Sequence, residues 1–188
     1  DELERVISQM YQAGDVSQVR GFEGAMAKKI YQKLNDLIDH EVFHIRKRDR
    51  KSPDRINSLL NFGYYLLFSR INATVRAIGL NPYLGFLHSP EDNYESLVCD
   101  IEELFRPRVD RLIIRLINLG VVTKDDFIET EKGLYLKKDA VRKFISHGEA
   151  ELDKKSSQNA LSLKEDIYIQ TVFLKKWALE NGALSFYR

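Results

Sequence analysis

Apolar positions along this chain recur mostly at helical spacing. Leu3, Val6, Ile7 and Met10 form one stripe over residues 1–13, and Gly14 ends that segment. Asp15, with Gln18 three residues on, is a capping-box-like start for a second helix. That helix places Val19, Phe22, Met26, Ile30, Leu34 and Leu37 on one face, so the face is expected to be buried. A third helix is predicted from Asp54 to Ile78, with Gly79 just past its end. Leu59, Leu60, Phe62, Tyr64, Leu66, Leu67, Ile71, Val75 and Ile78 ring it almost completely, which makes it the central helix of its bundle.

The pattern continues after a polar, turn-rich spacer. Asn93 or Ser96 caps a helix whose inner side carries Leu97, Ile101, Leu104 and Phe105. Pro107 suits the first turn of a following helix, which buries Val109, Leu112, Ile113, Leu116 and Ile117 and ends near Gly120. Phe127–Thr130 and Gly133–Leu136 bracket Glu131-Lys132 as a short β-hairpin. Asp139 opens a helix through Val141, Phe144 and Ile145. Gln158 to Ser162 is a polar break, and a last helix over Leu163–Asn181 carries Ile167, Val172, Leu174 and Trp177 before Gly182. The fold class is mainly α, a helical bundle with one short β-hairpin.

Composition narrows the picture further. Apolar residues make up 44% and charged residues 30%, as in an ordinary soluble globular chain. The net charge is +1, so any nucleic-acid surface must come from local clustering. Such clustering occurs in Arg46 to Arg55, RKRDRKSPDR, where six residues are basic and two acidic. Arg46, Lys47, Arg48, Arg50, Lys51 and Arg55 are candidate phosphate contacts on a loop without apolar anchors; a solvated charged loop is the bland reading. The single cysteine, Cys99, excludes an intramolecular disulfide and reads as a small core residue. No apolar run approaches ~18 residues and no signal peptide is visible, which points to the cytoplasm and away from a membrane.

Three features carry candidate chemistry. His88 lies on a loop between Gly85 and Pro90, and Asp100 and Glu103 lie three apart on the next helix, so both carboxylates can face that loop. One imidazole with one or two carboxylates can bind a divalent metal. Glu23 sits between Gly21 and Gly24 in a helix, where two glycines suggest close packing or a close approach. His40-Glu41-Val42-Phe43-His44 matches the H-E-x-x-H pattern of zinc peptidases. Against that last reading, no third histidine follows at metzincin spacing. No glutamate occurs between Glu41 and Glu91, and a cationic stretch that would repel a metal comes next. Asn57 and Asn61 share a face of the third helix and are expected to tie it to the loop carrying His88. Tyr64 and Tyr65 read as core residues with satisfied hydroxyls.

Three segments together resemble a known family. Gly21-Phe22-Glu23-Gly24-Ala25 is similar to its G-x-E-G-A helix, and Asn57 to Tyr64, NSLLNFGY, is similar to its N-x-L-L-N-F-G-Y helix. GFLH at Gly85–His88, followed by Asp100 to Pro107, DIEELFRP, completes the set. The family is the CRISPR-associated integrase and endonuclease of spacer acquisition ("Cas one"). The resemblance covers about residues 16–150, the family's helical catalytic domain. Residues 151–188 read as a C-terminal helical extension of one domain spanning 1–188. The family's amino-terminal β domain is absent and the chain does not start with methionine, so a fragment is expected.

The resemblance implies a metal-dependent DNA endonuclease and integrase of a prokaryotic antiviral defence. It would join captured double-stranded fragments into a CRISPR repeat by transesterification. It further implies Glu23, His88 and Glu103 as ligands of Mg²⁺ or Mn²⁺, with Asp100 as an alternate or outer ligand. Asn57, Asn61, Tyr64 and Arg106 are the supporting side chains. The implied partners are a second copy of the chain and a small ferredoxin-like protein ("Cas two"). The alternatives are a non-catalytic DNA-binding helical module and, through His40, Glu41 and His44, a zinc peptidase.

Overall fold

The structure, a computed structural model, describes residues 2–51, 54–88, 94–155, 157 and 160–180. The side chain of Leu3, the cap expected at Asn93, Ser52-Pro53, Pro90, Gln158, Asn181 and Gly182 lie outside the described residues. Among the described residues seven α-helices and one two-stranded sheet follow one another: α1 (Glu2–Tyr11), α2 (Val16–Asn35), α3 (Arg55–Ile78), α4 (Ser96–Glu103), α5 (Arg106–Asn118), β1 (Phe127–Thr130), β2 (Gly133–Leu136), α6 (Lys138–Asp153) and α7 (Leu163–Glu180).

Local signals set the helix ends. The Asp15 side chain accepts from the Gln18 N–H at 2.8 Å and starts α2. Asp54 accepts from the Asn57 N–H at 2.8 Å and starts α3. Gly79, at φ 82°, closes α3 in the left-handed region that only glycine enters freely. The hairpin pairs Phe127 with Leu136 and Thr130 with Gly133, as its sequence predicts.

Helix α3 is the centre, packed against α4, α5 and α7. It buries Leu59, Leu60, Tyr64, Leu67, Ile71 and Val75 against Val98, Ile113, Leu116, Ile117, Phe144 and Ile167. Gly63 lets α3 and α5 close up: a Cβ there would stand 2.6 Å from a Val109 methyl. Several apolar residues expected inside are outside. Ile30 and Leu37 are exposed and no residue of α2 is buried, because α2 lies on the periphery with only α1 as an extensive neighbour. Leu104 follows the last turn of α4 and faces outward, as do Ile145, Trp177 and Tyr65.

The His40–His44 segment is not an α-helix. Residues Glu41–Phe43 make a single 3₁₀ turn, flanked by extended His40 and His44. The two imidazoles therefore do not sit one helical turn apart, which removes the geometric basis of the peptidase reading. Phe43 and Ile45 anchor this segment in the core. Asn35 brackets Ile45 through both backbone groups, at 2.8 and 3.0 Å. Asn118 bonds Asp39 N and Leu37 O.

Candidate active site and cationic pocket

The loop carrying His88 is wrapped around one carboxylate. Asp100, on the second turn of α4 and fully buried in its side chain, accepts from the N–H groups of Phe86 (2.6 Å), Leu87 (3.1 Å) and His88 (2.9 Å). It also meets the His88 ring: Nδ1 lies 2.7 Å from Oδ1. A carboxylate can only accept, so Nδ1 carries the proton, and in the neutral ring Nε2 is the nitrogen that presents a lone pair. Ser96 adds a second tie. Its hydroxyl accepts from Gly85 N at 2.9 Å and donates to Tyr83 O at 2.7 Å. Ser96 thus works from the first helical position and not as the cap expected there. Gly85 must be glycine for a steric reason: a Cβ would stand 2.7 Å from Asp100 Oδ2 and 2.8 Å from the Ser96 backbone.

Helix α2 reaches the same place from outside. Arg20 donates from Nε to Leu87 O at 2.8 Å, and from Nη2 to the same oxygen. Glu23, one turn further along α2, is half-buried. Gly21 and Gly24 beside it have no packing partner, since a Cβ at either would meet nothing within 4 Å. Among the described residues the expected close helix packing at these glycines is not found, and the surface there is open.

Glu103, at the last turn of α4, faces this group. Burial pushes its carboxyl up from the usual range. Arg106 opposes that shift, the Glu23 charge adds to it, and His88 lowers it. Glu23, His88 and Glu103 therefore share one electrostatic neighbourhood. Glu103 Oε1 forms an ion pair with Arg106 Nη1 but receives no aligned hydrogen bond, and it is buried. Among the described residues no three His, Cys, Asp or Glu side chains could hold a metal ion as placed. The chemistry of the set nonetheless suits a divalent cation: two carboxylates that sense each other's charge, one of them paired with Arg106, and an imidazole whose Nδ1 is bonded to Asp100 so that Nε2 is left for a ligand.

Behind Glu103 stands a polar network that the sequence reveals only in part. Arg106 Nη2 lies 3.2 Å from Glu102 Oε2. The Arg106 guanidinium lies over the Tyr64 ring, 5.0 Å from its centroid, and Arg48 lies 5.4 Å from the same ring. The Tyr64 hydroxyl donates to Asp110 at 2.5 Å and meets the Tyr31 hydroxyl at 3.2 Å. Burial pushes the Asp110 carboxyl up to about 6, against the opposing pull of the Tyr64 hydroxyl and Arg106. Asp110 was findable: it is a charge on the otherwise apolar stripe Val109, Leu112, Ile113 of α5. Glu102 was findable from its spacing of four to Arg106.

Next to this network opens a cavity of about 560 Å³, lined by Gly24, Lys28, Tyr31, Tyr64 and Arg106 together with Arg46, Lys47, Arg48 and Arg50. Lys51 and Arg55 do not line it. Arg55 Nε instead faces Lys124 O at 3.4 Å. The cationic loop is anchored, contrary to what its sequence suggests. Asn57, fully buried, accepts from Asp49 N (2.8 Å) and Arg48 Nη1 (3.1 Å) and donates to Lys47 O (2.8 Å). Asn61 donates to Asp49 O and Arg50 O. Among the described residues these bonds tie α3 to the cationic loop.

The class defined by this fold and site is an α-helical bundle holding one oriented histidine, electrostatically coupled carboxylates and a cationic cleft. The sequence model of the family described as CRISPR associated protein Cas1 matches residues 1–150, and the chain belongs to that family. It is 38% identical over 145 residues to a CRISPR-associated endonuclease Cas1 of Leptospira interrogans, covering 76% of this chain and 57% of that protein. It is 35% identical over 156 residues to one of Clostridium perfringens, covering 80% and 46%. The chain thus spans about half the length of these curated relatives. A solved CAS1 protein from Thermotoga maritima is similar over 100% of this chain and 60% of that one, with a TM-score of 0.91 and 29% identity. The likeness therefore runs past residue 150, through the extension in which no family motif is legible. A casposase bound to integration product is similar over 98% of this chain and 53% of its own, with a TM-score of 0.88 and 27% identity. A Cas6-RT-Cas1–Cas2 complex matches 96% of this chain and 20% of that one, with a TM-score of 0.87 and 26% identity.

Proposed function

We propose that this chain is the helical catalytic domain of a metal-dependent DNA endonuclease and integrase that inserts captured fragments into a CRISPR array. The observation that carries this reading is the His88 ring, fixed by Asp100, in one electrostatic neighbourhood with Glu23 and Glu103 beside a cationic pocket. The named activities of the curated relatives and the integration product bound by the related casposase support it. The Cas6-RT-Cas1–Cas2 complex supports assembly with a Cas2 partner; a ferredoxin-like fold of that partner and pairing with a second copy of this chain belong to the same proposal.

Glu23, His88 and Glu103 would hold Mg²⁺ or Mn²⁺, which supplies charge neutralisation at the scissile phosphoryl group. Asp100 spends its lone pairs on three backbone N–H groups and the His88 ring, so it orients the histidine and does not ligate. Arg46, Lys47, Arg48 and Arg50 neutralise the DNA backbone and set its approach, and the bare surface at Gly21 and Gly24 gives the strand room. The reaction exchanges one phosphodiester for another. A 3′-hydroxyl of the fragment bonds to phosphorus, and the 3′-oxygen of the cut repeat strand leaves with the electron pair of the broken bond.

The test is strand transfer of a labelled fragment with Mn²⁺. His88→Ala should abolish the product while DNA binding and thermal unfolding stay near those of the unsubstituted chain. His40→Ala with His44→Ala should leave it unchanged. Loss of product in that double variant, with the fold intact, would place the chemistry elsewhere. A second reading, DNA binding without catalysis, draws on the cationic cavity alone. It predicts DNA binding with no metal-dependent product in any variant.

A further inference from the structure

Glu102 and Glu103 are consecutive, and Arg106 follows them by four and three residues. Helix α4 ends at Glu103 and α5 begins at Arg106, so the guanidinium straddles the junction and meets both carboxylates. The two acids look into different surroundings. The Glu103 carboxyl senses the charges of Glu23 and His88. Glu102 is only 3% exposed, its Oε1 has no hydrogen-bond partner, and its charge acts on the buried Cys99 thiol and on the Tyr94 hydroxyl. Arg106 Nε is likewise buried without an acceptor. A buried carboxylate with a free oxygen beside a guanidinium with a free N–H is an ion pair with bonding capacity to spare.

Two acids sharing one arginine are one positive charge short when both are ionised. In this structure Arg106 supplies positive charge to Glu103, the carboxyl that the proposed function assigns to a divalent cation. We propose that Glu102 is a positioning residue that retains Arg106 when Glu103 is given over to the cation. Glu103 then releases Arg106, while Glu102 and the Tyr64 ring keep the guanidinium compensated and in place. Without Glu102, Glu103 is the one remaining carboxylate in an ion pair with Arg106 among the described residues. Cation uptake would then leave a buried guanidinium without a directly paired carboxylate, with the Asp110 charge acting only from further off, which is disfavoured. This rests on the metal-binding reading of Glu103.

The experiment is Mn²⁺ binding to the whole chain without DNA, read as loss of the free-ion electron paramagnetic resonance signal. Glu102→Gln keeps the shape and removes the charge; it should weaken Mn²⁺ binding by at least about tenfold. Adding Arg106→Gln removes the competitor and should restore most of that affinity. Equal affinity of Glu102→Gln and the unsubstituted chain would overturn the proposal, as would a double variant as weak as the single one. A measurement on the unsubstituted chain guards against misfolding of either variant. Saturating Mg²⁺ should shift the Arg106 Nε–H nuclear magnetic resonance signal, and an unmoved signal would also overturn the proposal. Absence of any Mn²⁺ binding by the unsubstituted chain would sink the metal reading itself and this inference with it, an outcome distinct from the others.

Discussion

At the scale of single residues, the chain concentrates ionisable groups where water is scarce, and their titration should be visible in stability. Asp110 is pushed up to about 6 from an ordinary value of 3.8, chiefly by burial. A carboxyl whose folded pKa lies above its unfolded one holds its proton more tightly when folded. Its contribution is therefore complete below about pH 4 and is lost as pH rises through about 6. Glu102 and Glu103 are shifted in the same direction, again chiefly by burial, so they add to the same slope. Asp110→Asn can still accept the Tyr64 hydroxyl, and it should flatten the fall in stability between about pH 4 and 6 without removing it. Urea unfolding midpoints across that interval would check this, and an unchanged slope would show that Asp110 stays charged throughout. The sequence shows the His88 loop and the carboxylates of α4, because i and i+3 on a helix is a local relation. It does not show that Asp100 bonds the backbone N–H of Leu87, thirteen residues upstream, because that depends on how the loop folds back.

At the scale of elements, boundaries were legible and environments less so. Asp15, Asp54 and Gly79 mark helix ends through bonds and φ angles that span only a few residues. Burial of α2 was not legible, because an apolar stripe does not say whether another element covers it. The amides of α3 teach the same lesson. The stripe Asn57, Asn61 announced a tie, but a helix face does not name the loop it meets, and the loop proved to be the cationic one. A prediction follows from that bonding. Asn57→Ala would remove the partner of Asp49 N–H and of the Lys47 carbonyl in part-buried surroundings, at a cost on the order of 2 kcal/mol in unfolding free energy. It should also loosen the cationic loop, lowering DNA affinity while leaving Mn²⁺ affinity near normal. A matched loss of Mn²⁺ affinity would mean that Asn57 supports the His88 loop after all.

At the scale of the whole molecule, a net charge of +1 means that DNA binding depends on where the cations stand. No helix among the described residues is long and apolar enough to cross a membrane. The sequence marked six basic positions in Arg46–Arg55 as equivalent, and the fold divides them. Arg46, Lys47, Arg48 and Arg50 line the cavity beside Gly24 and Arg106, while Lys51 and Arg55 do not. Arg48 also bonds Asn57 and lies over Tyr64, so its replacement would confound folding with binding. The discriminating comparison is therefore a triple change of Arg46, Lys47 and Arg50 to Gln against a double change of Lys51 and Arg55 to Gln. Each duplex phosphate that the protein no longer neutralises should flatten the log–log dependence of affinity on salt by about 0.9. The triple variant should flatten that slope by about two to three such steps and weaken binding to all sequences alike. The double variant should leave it nearly unchanged. Fluorescence anisotropy of a labelled duplex over a salt series measures both. Equal flattening per residue in the two variants would show that the cations act as a diffuse charged surface, and that the cavity beside Arg106 is not where the DNA backbone lies.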